Sequence, residues 1–147
     1  MESLSAILTE NPIIAAVKDD GGLEKALLTD CRIIFLLYGN VCSVGALVDR
    51  IKSSGKLAMV HIDLIDGLSS KDIAVSFLRQ NTSADGVISI KPAIVKAAKE
   101  QGLLAVQRFF LLDSLALANF QKYAEMKVAD AIEILPATMP KIIRKIT

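Results

Sequence analysis

The sequence predicts an α/β fold, a TIM-barrel-like (β/α) barrel with about six of its eight βα units present. Three observations predict it. Short apolar runs alternate with amphipathic stretches, and the runs begin near residues 13, 33, 58, 85, 103 and 130. That spacing suits a strand, a crossover helix and two short loops. The run Ile33–Leu37 is apolar on both faces, as a parallel strand covered on both sides should be. Finally, polar residues follow nearly every run: Lys18, Asn40, Asp63, Lys91, Arg108 and Glu133. Chemistry spread over many strand ends is the habit of barrels. No GxGxxG follows a strand and no GxxxxGK(S/T) occurs, so neither phosphate loop of the open nucleotide-binding sheets is present.

Each element has its own signal. Leu4–Leu8 reads as a short helix, stopped by Asn11-Pro12. Ile13–Val17 is the first strand, and Lys18–Gly22 is a polar loop rich in glycine. Leu23–Leu28 fits a helix of about two turns. After the second strand and a Tyr38–Asn40 loop, Val44–Ser53 is helical, with Val44, Leu47, Val48 and Ile51 on one stripe and Gly55 as its stop. Leu57–Ile62 is the third strand. Ser69 is placed to cap a helix over Ser70–Gln80, with Ile73, Ala74, Phe77 and Leu78 inward. Asp85–Ser89 is the fourth strand. Lys91-Pro92 opens a helix that buries Ile94, Ala97 and Ala98 and ends at Gly102. Leu103–Gln107 is the fifth strand, with Arg108 at its end. Ser114–Tyr123 is a helix, Ala129–Ile134 the sixth strand, and Met139–Ile146 a last, basic helix after Pro136.

One domain spans residues 1–147. A closed barrel of this type takes eight units and typically at least about 200 residues. The expectation is therefore that two units are missing or that the sheet stays open. An open sheet exposes the edges of strands one and six to pairing, so a partner copy, a swap or further residues should cover them.

Bulk properties narrow the function classes. The formal net charge is +1, so no global basic field draws in nucleic acid, and any RNA contact needs a local patch. Cys31 and Cys42 lack metal-site spacing. The amino terminus has no basic region ahead of a long apolar core, and no apolar run approaches the roughly 18 residues of a membrane span. A cytoplasmic protein without a membrane segment is the expectation, with no cofactor implied.

The chemistry centres on His61–Ser69, HIDLIDGLS, where an imidazole and two carboxylates sit as a buried strand leaves the core. On a strand His61 and Asp63 share one face. His61 reads as an interior histidine hydrogen-bonded to a neighbouring acid. Asp63 needs relief, with Lys91 or Arg108 the candidates, because an unpaired buried carboxylate is costly. A divalent ion held by His61, Asp63 and Glu133 is a weaker alternative. Lys91 and Arg108 are the best anion ligands; a salt-bridge ring with Asp63 and Glu133 is the competing reading. Phe109-Phe110 beside Arg108 could stack on bases, though such pairs more often pack under a helix. The basic stretch Lys141–Lys145 is a weak RNA signal.

The segments HIDLIDGLS, DGVISIKPAIVKAAKEQGL, VQRFFLLDSLAL and EILPATMPKII, in that order, resemble the glycerol uptake operon antiterminator regulatory proteins, from about Asn11 onward. The resemblance implies a TIM-barrel-like fold and a regulator, not an enzyme. It implies glycerol 3-phosphate as effector and the leader mRNA of glycerol-utilisation genes as target. Family members continue past the MPKII segment into two further strands. In phosphate-binding barrels the loops after strands seven and eight usually hold the phosphate. The matching mouth residues are His61, Asp63, Lys91, Gln107, Arg108 and Glu133, expected to bind the ligand. By their chemistry, Lys91 and Arg108 should face its anionic end and Asp63 and Glu133 its hydroxyls, with His61 beneath. A barrel enzyme acting on a small phosphorylated metabolite is the other reading these residue types allow.

Overall fold

A computed structural model describes residues 3–110, Lys122 and 128–135. The predicted helices over Ser114–Tyr123 and Met139–Ile146 lie outside the described residues, apart from Lys122, which is helical. In chain order the elements are α1 (Leu4–Glu10), β1 (Ile14–Val17), α2 (Asp20–Leu27), β2 (Ile33–Leu36), α3 (Val44–Ser53), β3 (Leu57–His61), a 3₁₀ turn (Ile62–Leu64), α4 (Asp72–Asn81), β4 (Gly86–Ser89), α5 (Pro92–Glu100), β5 (Leu104–Phe110) and β6 (Ala131–Leu135). The six strands pair in sequence order, all parallel, in one sheet. With helices between the strands, this curled sheet is an incomplete TIM-like barrel.

Side-chain alternation divides the sheet into two faces. Ile34, Leu36, Ala58, Val60, Val87 and Ala105 face the helices and form the larger core with the stripes of α3, α4 and α5. Ile33, Phe35, Met59, Ile88 and Val106 face inward and pack on Leu4 and Ile7 of α1. All four residues of β2 are buried, which is why that run carries no polar residue. The α1 helix is held at its start by Ser3, whose hydroxyl accepts the Ala6 amide at 3.1 Å.

The two strand ends opposite the mouth carry a device repeated twice. Lys52-Ser53-Ser54-Gly55-Lys56-Leu57-Ala58 and Lys99-Glu100-Gln101-Gly102-Leu103-Leu104-Ala105 share the pattern KxxGxLA. In each, the lysine closes a helix and the glycine turns the chain with φ +81°. In each, the alanine amide is taken by an aspartate just before the neighbouring strand. Asp85 accepts Ala58 N–H at 2.8 Å and returns its own N–H to the Ala58 carbonyl, while Lys52 binds both carboxylate oxygens at 3.0 Å. Asp130 does the same with Ala105 and Lys99, at 2.8 and 2.9 Å. Lys56, 8% exposed, caps a third site by donating to the carbonyls of Thr29 and Cys31.

Four boundaries differ from the sequence expectation. The α2 helix starts at Asp20, because the Asp19 carboxylate accepts the Gly22 amide at 2.7 Å and draws both glycines into the first turn. Ser69 caps nothing: α4 starts at Asp72, with Ala74, Val75 and Leu78 buried and Ile73 turned to solvent. Phe77 packs on the core as predicted, so the stripe keeps Ala74, Phe77 and Leu78 and exchanges Ile73 for Val75. Strand β3 stops at His61, and the chain tightens into the 3₁₀ turn. Strand β5 continues to Phe110, so Arg108 lies within it rather than at its end.

Candidate functional site

His61 is the last residue of β3. It is in register with Ile88 of β4 and two residues beyond Met59, so its ring faces the barrel interior. It is 2% exposed, and neither ring nitrogen has a hydrogen-bond partner among the described residues. The expected bond to an acid is absent, because the 3₁₀ turn carries Asp63 off the strand. Burial lowers the imidazole pKa, and the Arg108 charge lowers it further, against an opposing pull from Asp63. The ring is therefore neutral at neutral pH.

Arg108 and Glu133 are cross-strand partners in the β5–β6 register. Arg108 follows Val106 on the inner face, and its Nη2 meets Glu133 Oε1 at 2.8 Å. The pair is end-on. Arg108 Nε and Glu133 Oε2, the atoms a two-pronged pairing would join, are buried and have no partner among the described residues. Both residues line a cavity of about 320 Å³ that reaches from β1 to β6, with Leu4, Leu8, Ile14, Phe35 and Val106 among its apolar walls. One ion pair set in apolar walls is the usual composition of a small-molecule pocket.

The other three predicted residues sit elsewhere. Asp63 is not relieved by Lys91 or Arg108. Its carboxylate accepts the Ser89 hydroxyl at 3.0 and 3.1 Å and the Ile90 amide at 2.9 Å. Gln107 alternates with Arg108, so it points away from the interior; its amide nitrogen donates to the Ile90 carbonyl at 2.9 Å and to the Arg108 carbonyl. Asp63 and Gln107 thus clamp the main chain of Ile90 from both sides. Lys91 begins α5 ahead of Pro92, is exposed at the mouth, and gives its amide to the Ser89 hydroxyl at 3.1 Å. Sequence reasoning missed Ser89 and the Ile90 main chain. The signal available was the small polar residue ending an apolar strand.

The structure therefore brings His61, Arg108 and Glu133 to the interior, sets Asp63 and Gln107 against the β4–α5 turn from the 3₁₀ turn and β5, and leaves Lys91 on the rim. Asn40 is spent on its own turn, where its side chain accepts the amides of Cys42 and Ser43. Lys18 is exposed. Among the described residues no three His, Cys, Asp or Glu side chains are placed to hold a metal ion, and no helix is long and apolar enough to cross a membrane.

Comparison with known proteins agrees with this fold. A protein of Escherichia coli K12, YgcP, itself uncharacterised, is 42% identical over 141 residues, covering 96% of this chain and 74% of that one. The crystal structure of a glycerol uptake operon antiterminator regulatory protein from Listeria monocytogenes matches with a TM-score of 0.85 and 33% identity, over 93% of this chain and 75% of that one. A glycerol uptake operon antiterminator-related protein from Thermotoga maritima matches with a TM-score of 0.78 and 34% identity, over 91% and 76%. The model of the glycerol-3-phosphate responsive antiterminators matches residues 13–147. On fold and sequence together, this chain belongs to the glycerol-3-phosphate responsive antiterminator family.

Proposed function

We propose that this protein is a transcription antiterminator that binds glycerol 3-phosphate at the barrel mouth and, when loaded, binds the leader mRNA of glycerol-utilisation genes. The observation that carries the reading is the half-buried Arg108–Glu133 pair lining a cavity of about 320 Å³, in a member of this family. A half-buried, incompletely bonded ion pair adds little to stability and suits a site where a ligand completes it. His61, Arg108 and Glu133 contact the ligand directly. Asp63 and Gln107 hold the β4–α5 turn in place, so that Lys91 stands at the rim.

The protein acts as a regulator and not as a catalyst. Its near-neutral net charge suits RNA binding that depends on a local surface ordered by the effector. The test has two stages. Thermal denaturation with glycerol 3-phosphate, glycerol and inorganic phosphate should show stabilisation by the first alone, since a ligand confined to the native state raises the melting temperature. A mobility shift on the leader RNA should then appear only with effector present. Turnover of the ester would overturn the regulatory reading.

A further inference from the structure

We infer that α1 is a movable floor of the cavity, seated by whatever fills it, so that occupancy is felt at the end of the barrel away from the mouth. The inference rests on the effector reading above and names how that site would be regulated.

Position comes first. Among the described helices, α2 to α5 pack on the outer face of the sheet and α1 alone packs on the inner face. It leads into the start of β1, so it lies at the strand ends opposite the mouth. Leu4 and Ile7 are buried against Ile33, Phe35, Met59, Ile88 and Val106. Leu4 and Leu8 also line the cavity. Arg108 and Glu133 line it two residues further along their strands than Val106 and Ala131. The cavity therefore lies between α1 and the ion pair.

The hold on α1 comes second. An isolated helix shorter than about 12 residues is marginal in water, and α1 has seven. It has no acid in its first turn and no base in its last, so its dipole adds nothing. Its cap, Ser3, is exposed. Glu10 meets Arg32 at 3.4 Å with side chains 70% and 42% exposed, a pairing worth little. Asn11 ties the turn after the helix, not the helix, to the Asp30 carbonyl at 2.7 Å. What seats α1 is the apolar contact of Leu4 and Ile7 with the inner face.

Linkage comes third. Undocking α1 would take Leu4 and Leu8 out of the cavity wall. A ligand in the cavity favours the docked state by the contact it makes with them, and by reciprocity docking of α1 favours the ligand.

The experiment is amide hydrogen exchange on the full chain, read at Ile7 and Asn11, whose N–H groups donate to the carbonyls of Ser3 and Ile7. In the free protein both should exchange faster than the Leu57 amide, which donates to the Arg32 carbonyl in the sheet. Rates no faster than that of Leu57 would overturn the inference. Glycerol 3-phosphate at about a hundredfold over its Kd should slow both about 100-fold. Unchanged rates under a raised melting temperature would overturn the inference and leave the effector reading intact. Without a rise in melting temperature the effector reading fails, and Ala131→Leu decides. Ala131 lines the cavity on β6 and packs with the inner cluster that holds Leu4 and Ile7, so added bulk there fills the cavity without any ligand. It should slow both amides about tenfold; unchanged or faster exchange would overturn the inference.

Discussion

At the strand ends away from the mouth, Asp85 and Asp130 each satisfy a lysine and a strand amide, and Lys56 fills two carbonyls. At the mouth, His61, Arg108 and Glu133 are comparably enclosed, yet four of their atoms, both imidazole nitrogens, Nε and Oε2, have no partner among the described residues, nor has Gln107 Oε1 on the outer side. The same residue types therefore do opposite things at the two ends. Where partners are complete, polar groups fix register. Where they are incomplete, they forgo stability, as the proposed ligand site would require.

Substitutions at both ends should expose that difference, beginning with the largest effect. Gly86 stands where β4 begins, and a methyl there would run into the Leu104 carbonyl and approach its Cβ to 2.7 Å. Gly86→Ala should cost about 3 kcal/mol in urea denaturation, because backbone must move to admit it. Asp85→Ala should cost about 2 kcal/mol, since it strands both Lys52 and the Ala58 amide. Its counterpart Asp130→Ala should cost about 1 kcal/mol, the Asp130 side chain being 23% exposed against 11% for Asp85. Equal losses at the two would break the view that burial sets the strength of these clamps.

The mouth should behave the other way. The double change Arg108→Met with Glu133→Leu should shift stability by less than about 1 kcal/mol in either direction, because an apolar pair of similar volume fills the space without desolvating charge. Stabilisation by glycerol 3-phosphate should disappear with it, read as loss of the ligand-induced rise in melting temperature. The smallest effect is on pH dependence. Burial holds the His61 pKa below its unfolded value of about 6.5. The unfolded chain then binds the extra proton first, so stability falls as pH drops below about 6.5 and levels off under the folded pKa. His61→Asn should flatten that slope in melts between pH 7.5 and 5.5, conditions chosen to bracket about 6.5.

The rhythm of the chain made the barrel legible. The stripe Val44, Leu47, Val48 and Ile51 and the doubly apolar β2 follow from periodicity alone, and both are buried as expected. Boundaries decided by a single hydrogen bond were not legible, as at Asp19, where one carboxylate outweighs two glycines. The site was half legible. Polar residues after strands announced the mouth, and alternation put Arg108 beside Glu133 once their strands paired. What failed was extending β3 past His61. One 3₁₀ turn removed Asp63 from the strand face and gave it to Ser89 and Ile90. Short-range tightening of this kind leaves no periodic trace in a sequence.

The twofold recurrence of KxxGxLA with its aspartate has a consequence for how such a chain could grow. Two of the three pairs of βα units carry such a docking address, written at the end away from the mouth. A duplicated pair would therefore seat itself in correct alignment without any change at the opposite rim. Evolution could add or lose whole pairs and rewrite the recognition surface independently, as His61 in one copy and Arg108 at the matching place in the next illustrate.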